Sequence, residues 1–401
     1  MTGPARTAAA RRPLRALRPV PSALAAAAWL ALTPAQATDH FWTAGNFAAG
    51  VTAPNPLPAG DTLFGQSGTN NKNFWGVNFT NEGTVAWQTT DRIGFVSSAV
   101  TNSALWDLQA DASLLYAGGG GSTFFNDGTF RKSGGAGVSS IGNNVSFVNT
   151  GIVDAQSGVI DFASGSASFL SGTQFTGAGI ARVSNNAAFA GAFTSQNLEL
   201  SAGTFTGNAA ALANGSVRWT GGGIGGTWQV AAGQTLAGQA GGNKNFAGAV
   251  FTNDGTVDWQ TSERIGFVSS SVTNAGLWNL QADANFSYAG GSASSFTNTG
   301  TLRKSAGDGS AVVGNNVVFA NSGLIDVQAG TIDFASGSAT FNAGTQFGGA
   351  GTVRISNNAS FVGGFTSANL VLAGGIFTGN NTTPAVLSGS ARWTGGAFAG
   401  T

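Results

Sequence analysis

Apolar and polar residues alternate in short runs along this chain after residue 37. The run 84–87 reads TVAW, and its second and fourth residues fall on one side of an extended strand. The related run 256–259 reads TVDW, which keeps both apolar positions and has Asp258 in place of Ala86. Polar residues replace apolar ones on only one side of this alternation, and that pattern predicts strands with one buried face. No stretch after residue 37 combines apolar spacing of 3.6 with capping residues, so almost no helix is expected.

The runs are arranged as a tandem duplication. Residues 79–98 and 251–270 are identical at 16 of 20 positions, at an offset of 172. Near the end of the chain the offset becomes 174, and the two extra residues fall within 380–387, a predicted loop. We therefore divide the chain into an entry segment (38–59), a first copy (60–232) and a second copy (233–401). Because residues 392–401 match the segment that leads from the first copy into the second, we expect either a fragment of a longer protein or a last coil without a cap.

A shorter period of 21, 24 and 23 residues runs inside each copy. It is marked by an Asn followed two residues later by a small residue, usually Gly: Asn81, Asn102, Asn126 and Asn149, then Asn253, Asn274, Asn298 and Asn321. Repeats of this length with short β-runs predict the coils of a β-solenoid, here a right-handed parallel β-helix of about 21–24 residues per coil. Roughly 16 coils would form a rod about 80 Å long. Stacked Asn side chains would form amide ladders. Two β-sandwiches, one per copy, are the alternative, but Asn-Gly hairpin signals are scarce.

Composition removes several kinds of chemistry. The chain has no Cys and a single His, His40. Disulfides, thiolate metal sites and thiol nucleophiles are therefore excluded, and imidazole chemistry is limited to one residue. Gly is abundant at 63 residues, but it lacks the three-residue period of collagen. We expect no cofactor and no metal site.

The first 37 residues have the features of a cleaved signal peptide. Five Arg and no acidic residue precede an apolar run at 22–32, which is too short to span a bilayer. Ala35-Gln36-Ala37 is a small-x-small cleavage signature, and cleavage after Ala37 would leave Thr38 first. A disordered basic leader is the alternative. Arg11-Arg12 is compatible with twin-arginine export, but the residues that follow favour the general secretory route.

Removal of this leader changes the charge balance. The whole chain has 17 basic and 17 acidic residues, so loss of the five leader Arg leaves 12 against 17, or −5. An acidic surface without a basic cluster argues against nucleic-acid binding. No second apolar segment is long enough for a transmembrane helix, so none is predicted in the mature chain.

Several phrases resemble the β-strand repeats of large bacterial surface and secreted proteins. They are FTNEGTVAW, FTNTGTLRKSAG, NSGLIDVQAGTIDF and LVLAGGIFTG. The resemblance covers residues 60–401 and is to autotransporter passengers and filamentous-haemagglutinin-like adhesins. It implies a right-handed parallel β-helix, export and adhesion or surface-layer roles. Motifs of two-partner secretion, a C-terminal sorting signal and a hydrophobic anchor are not recognised in the chain.

The resemblance leaves two functional hypotheses. The first is a non-enzymatic structural or adhesion protein, secreted or on a Gram-negative outer surface, that binds surface glycans, host or matrix components, or itself. The second is a carbohydrate-active β-helix enzyme of the polysaccharide lyase or hydrolase type. Its candidate carboxylates are Asp154 with Asp161, repeated as Asp326 with Asp333. Their seven-residue gap places each pair on successive faces of one coil. No basic residue lies near them in sequence, so we interpret them as solvated acids and assign no catalytic residue.

Other polar and aromatic residues receive structural interpretations. Asp91-Arg92 and Glu263-Arg264 are predicted to be local charge pairs. The basic dipeptides at 131–132 and 303–304 are predicted to be solvated. Most of the ten Trp are expected in the core, with a carbohydrate-binding aromatic strip as the alternative for some of them.

Overall fold

The computed structural model describes residues 36–68, 71–380 and 382–400. The predicted signal peptide at 1–37 lies almost entirely outside these residues. Ala37–Thr401 forms one compact unit. The described residues contain 43 strands and no helix, which confirms the all-β prediction.

The strands are short in most of the chain and long around its middle. In the first third they are β1 Asp39–Trp42, β2 Gly45–Asn46, β3 Thr62–Gly65, β4 Lys72–Trp75, β5 Asn78–Asn81, β6 Thr84–Trp87, β7 Ile93–Val96, β8 Ala99–Asn102, β9 Leu105–Leu108, β10 Leu114–Gly118, β11 Ser122–Asn126, β12 Thr129–Lys132, β13 Val138–Ile141 and β14 Val145–Asn149. In the middle they are β15 Ile152–Ala155, β16 Val159–Phe162, β17 Ala167–Phe169, β18 Gln174–Thr176, β19 Ile180–Val183, β20 Ala187–Leu200, β21 Thr204–Trp219, β22 Gly222–Val230, β23 Thr235–Gly238, β24 Lys244–Asn253, β25 Thr256–Trp259, β26 Ile265–Val268, β27 Ser271–Asn274 and β28 Leu277–Leu280. In the last third they are β29 Phe286–Gly290, β30 Ser294–Asn298, β31 Thr301–Lys304, β32 Ser310–Val313, β33 Val317–Asn321, β34 Leu324–Val327, β35 Thr331–Phe334, β36 Ala339–Phe341, β37 Gln346–Gly348, β38 Thr352–Ile355, β39 Ala359–Phe361, β40 Gly364–Leu372, β41 Ile376–Gly379, β42 Val386–Trp393 and β43 Ala397–Ala399.

All strand pairs are parallel, and in the regular parts of the chain each strand pairs with the third strand along the sequence. Three strands therefore make one coil, and the coils stack on three faces. We call these face A, which contains β6; face B, which contains β7; and face C, which contains β8. Parallel stacking of this kind is a β-solenoid, as predicted, and it excludes the antiparallel sandwich alternative.

The number of coils follows from the strands stacked on face A. Eighteen strands follow one another there between Asp39 and Ala397, which gives 17 steps of about 21 residues: β1, β3, β6, β9, β12, β15, β18, β20, β21, β22, β24, β27, β30, β33, β36, β39, β41 and β43. At about 4.8 Å per step the stack is about 80 Å long, close to the predicted length.

The interior is filled by the inward residue of every second position. Six large aromatics at inward positions are fully buried, in agreement with the expectation that most Trp lie in the core: Trp87, Trp106, Phe162, Trp259, Trp278 and Phe334. Near the first coil, the indoles of Trp42 and Trp87 meet edge to face across Gly65, with ring centroids 5.7 Å apart. A Cβ atom on Gly65 would lie 2.2 Å from the Trp87 ring, so glycine is required between the two indoles.

The predicted Asn ladder is present in the interior of both copies. Asn81 Nδ2 donates to Asn102 Oδ1 at 2.6 Å, and the same bond continues through Asn126 to Asn149. Each Asn is the last residue of its strand and is completely buried. The second copy repeats the ladder from Asn253 to Asn321. The ladder therefore joins coils at one corner of the solenoid without exposure to water.

The two copies are rotated relative to each other by one third of a turn. Eight steps along face A lead from β6 to the Val250–Asn253 part of β24. The second-copy counterpart of β6 is the next strand, β25, which continues face B through β23. Likewise β26 lies on face C and β27 on face A. The 172-residue repeat thus spans eight and one-third coils, and each surface feature of the first copy recurs on a different face of the second.

Candidate functional site

Asp154 and Asp161 lie on different faces of one coil. Asp154 belongs to β15 on face A and Asp161 to β16 on face B, which confirms the predicted placement on successive faces. Asp154 Oδ2 accepts a hydrogen bond from Arg131 Nε at 2.9 Å, and Asp161 accepts two from Arg182 at 3.1 and 3.2 Å. Each carboxylate is therefore neutralised by an Arg in an adjacent coil.

The second-copy acids have the same arrangement. Asp326 pairs with Arg303 at 2.9 Å and Asp333 with Arg354 at 3.3 Å. The prediction that these acids are solvated is wrong for three of the four, because Asp154, Asp161 and Asp333 are buried. Their burial results from close stacking of coils, which places the long Arg side chain of the neighbouring strand across each carboxylate.

Two of these pairs, Asp161–Arg182 and Arg303–Asp326, belong to a longer row of mostly charged residues on face B. The row, which we call the charge ladder, has one outward residue per coil in strict register: Asp161, Arg182, Glu199, Arg218, Ala237, Asp258, Asn279, Arg303 and Asp326. Neighbouring charges in the ladder have opposite signs. The hydrogen bond to Asp161 raises the pKa of the Arg182 guanidinium, and burial offsets part of this rise. The register of the ladder runs across both copies, with the uncharged Ala237 where they join, because the one-third turn brings two different rows onto one face.

Four buried lysines lie at the coil corners, where sequence reasoning placed none. They are fully buried, and each pairs with an acid of an adjacent coil corner: Lys72 with Asp91, Lys132 with Asp111, Lys244 with Glu263, and Lys304 with Asp283. The predicted local pairs at 91–92 and 263–264 are therefore wrong, and so is the prediction that Lys132 and Lys304 are solvated. Alternation could have found Lys72, because in β4 it shares the inward side with Phe74.

Three of the corner pairs lower the pKa of their carboxyl group, those of Asp91, Asp111 and Glu263. A hydrogen bond from Lys72 is the main cause for Asp91, and one from Lys132 is the main cause for Asp111. Burial of Glu263 works in the opposite direction, but hydrogen bonds from Lys244 and the backbone N–H of Gly241 leave its pKa below the ordinary value. These acids are therefore ionised at neutral pH and hold the buried ammonium groups.

The exposed Trp residues in the described part of the chain do not form a strip. Among the described Trp residues only Trp75 and Trp393 are exposed, each at 60%, and they lie on faces B and C at opposite ends of the stack. Trp393 borders an apolar cavity of about 360 Å³ whose lining contains no ionisable side chain. Its first-copy counterpart, Trp219, is 0% exposed beneath β23. The cavity is thus an open side of the core.

The described part of the chain offers no metal centre. It contains no group of three or more His, Cys, Asp or Glu placed to hold an ion. Residues 36–68, 71–380 and 382–400 also include no helical segment with the length and hydrophobicity needed to cross a membrane.

Comparison with known proteins returns no relative. No family model, curated protein or solved structure matches the chain. The β-solenoid itself is therefore the basis for a functional proposal.

Proposed function

We propose that this chain is exported and acts outside the cytoplasm as a non-enzymatic structural or adhesion protein. The main support is the state of the candidate carboxylates. Asp154 and Asp161 lie on different faces, and each is bonded to an Arg that joins two coils. A glycosidase or lyase needs carboxylates that converge on one substrate, so this arrangement favours a role in holding coils together.

The one-third turn between the copies supports a bridging role. Equivalent surfaces of the two copies lie on different faces, so they cannot both contact one flat surface. A rod of this kind can hold ligands on two sides and link them. Its partners in this proposal are surface glycans, host or matrix components, or further copies of the chain, and a long lateral face provides the contact area.

The proposal is tested by comparing binding with catalysis on the same material. The exported protein is incubated with immobilised glycans and matrix proteins, and release of reducing ends and unsaturated sugars is followed in parallel. We expect retention on at least one of these surfaces without polysaccharide cleavage. Cleavage that is lost in Asp154→Asn or Asp161→Asn, with an unchanged circular dichroism spectrum, would establish the enzyme instead.

A further inference from the structure

The carboxylate of Asp61 contacts the chain at the start of the solenoid. The backbone N–H of Thr38 donates to Asp61 Oδ1 at 3.0 Å, and His40 Nε2 lies 2.9 Å from Asp61 Oδ2. Asp61 is 9% exposed. Its own N–H donates to Pro58 and its carbonyl accepts from Thr84, so the side chain is presented from a fixed backbone. Both carboxylate oxygens are thus directed at the first residues of the stack.

The backbone of Thr38 also pairs with the solenoid. Its carbonyl accepts the N–H of Thr62 at 2.9 Å, and β1 starts at the next residue. The bond between Ala37 and Thr38, the predicted cleavage site, lies among exposed residues. The compact unit begins at Ala37. The predicted scissile bond therefore lies one residue inside the edge of the folded unit.

The interior of the chain contains a counterpart of this contact with different chemistry. At the junction of the copies, the N–H of Gly215 donates to Gln234 Oε1 at 2.7 Å. Both contacts lie four residues before a Trp that pairs with a Gly on the next coil. At Gly215, which is followed and preceded by ordered strand, the acceptor is the neutral amide of Gln234. At Thr38 the acceptor is a carboxylate, which suits a cationic donor.

We propose that Asp61 is the receptor for the α-ammonium group that forms when the chain is cleaved between Ala37 and Thr38. Hydrolysis adds one water to this peptide bond. Ala37 leaves with the new carboxylate, and the nitrogen of Thr38 becomes an amine that takes up a proton, because an α-amino group has a pKa of about 8. The N–H bond to Asp61 is thereby converted into an ammonium–carboxylate pair, which ties removal of the leader to closure of the first coil. This inference rests on the proposed export.

The charge state of Asp61 suits this role. Hydrogen bonds from His40 and from the Thr38 N–H lower the pKa of its carboxyl group, so it is ionised at neutral pH. β1 itself contains two ionisable residues, the exposed Asp39 and His40. Because His40 uses the second oxygen of Asp61, it does not compete with Thr38 for the first.

The experiment uses the α-amine itself as the probe. The chain has four Lys, at 72, 132, 244 and 304, and all are fully buried, so the N-terminal amine is the accessible amine of the folded mature protein. Processed protein is acylated at pH 7 with an amine-reactive ester, and the rate at Thr38 is followed by peptide mass spectrometry. We expect Thr38 to be acylated about tenfold more slowly in the Asp61 protein than in Asp61→Gln. A carboxylate that raises the pKa of the α-amine by about one unit leaves about a tenth as much free amine at pH 7.

Asp61→Gln reproduces the acceptor that the internal junction already uses, so the variant is expected to fold. Gln234→Glu is the matched control: it adds a carboxylate at the internal contact and should leave the acylation rate at Thr38 unchanged. Hydrogen exchange at Thr62, whose N–H bonds to Thr38, gives a second readout and should be slower in the free-amine protein than in its acylated form.

The outcomes separate this inference from the proposed export. Equal acylation rates in Asp61 and Asp61→Gln proteins would overturn the ammonium receptor and leave export untouched. Exported protein that begins at a residue other than Thr38 would overturn the processing site. If no protein is exported, the proposed function fails, and the Asp61 pairing is still decided on a chain that starts at Thr38 after release from a fusion partner.

Discussion

At the scale of single residues, the buried aromatics carry much of the stacking energy between coils. Trp106 is fully buried and contacts the ring of Phe124 edge to face, with centroids 5.0 Å apart. We expect Trp106→Ala to lower the free energy of unfolding by about 3–5 kcal/mol through lost burial and the cavity left behind. Urea unfolding followed by circular dichroism measures this. Trp106→Phe is the control: it removes a buried indole N–H that has no partner among the described residues, and should cost much less.

Asp154 provides the comparison with a charged residue. From sequence alone, loss of this acid is expected to cost less than about 0.5 kcal/mol, as for an exposed group. The structure revises this expectation, because Asp154 is buried and accepts hydrogen bonds from Arg131, Gln156 and Thr176. We now expect Asp154→Asn to cost about 1–2 kcal/mol, as for charge-assisted hydrogen bonds, which is still less than Trp106→Ala. Urea unfolding of the two variants side by side decides the order.

The corner pairs make stability depend on pH in the acid range. Folding lowers the pKa of Asp91 and Asp111 below 3.8, chiefly through hydrogen bonds from Lys72 and Lys132 respectively. An acid with a lowered pKa stabilises the fold above its unfolded pKa, and this contribution is lost as the pH falls through the folded pKa. We therefore expect the urea midpoint to fall between about pH 5 and pH 3. The double variant Asp91→Asn/Asp111→Asn should show a shallower fall over that interval; an unchanged slope would mean that other acids dominate.

At the scale of elements, the Asn ladder joins one corner of successive coils. Asn126 donates from Nδ2 to Asn149 Oδ1 and to the carbonyl of Ile152, and it accepts from Asn102. Asn126→Leu leaves these buried partners without their bonds, so we expect a loss of about 2–3 kcal/mol. Because each coil contacts only its neighbours, hydrogen exchange should accelerate in β8, β11 and β14 and stay unchanged in β30. Asn298→Leu, the second-copy equivalent, should give the reverse pattern.

Alternation along the strands predicted the elements and their buried sides, but it did not predict their charged partners. Val85 and Trp87 are inward as expected, because side-chain direction in a strand follows from position alone. The pair of Arg131 with Asp154 was missed, although its separation of 23 residues equals one spacing of the Asn period. Neighbours in sequence alone do not reveal this pair. The bond of Lys72 to Asp91 could not be predicted in this way, because Asp91 lies in a loop whose path is set by the coils around it.

At the scale of the whole molecule, the one-third turn determines which stretch of chain can be removed. Deletion of residues 84–255 removes 172 residues, one copy by sequence, and places β25 under β3. Gly65 then stacks on Trp259, as Gly238 does in the native chain. Deletion of residues 84–249 removes 166 residues, or eight whole coils on face A. It keeps every face in place, but sets Asn253 against Gly65.

Stability in a solenoid is a sum over neighbouring coils, so matched inward residues should matter more than preserved faces. We expect the 84–255 deletion to retain a β-rich circular dichroism spectrum and a urea midpoint close to that of the parent. The 84–249 deletion removes six fewer residues, yet it should unfold at markedly lower urea, because a polar Asn replaces the indole that fills the space around Gly65. If the 84–249 deletion were the more stable of the two, preserved faces would matter more for stacking than matched inward residues.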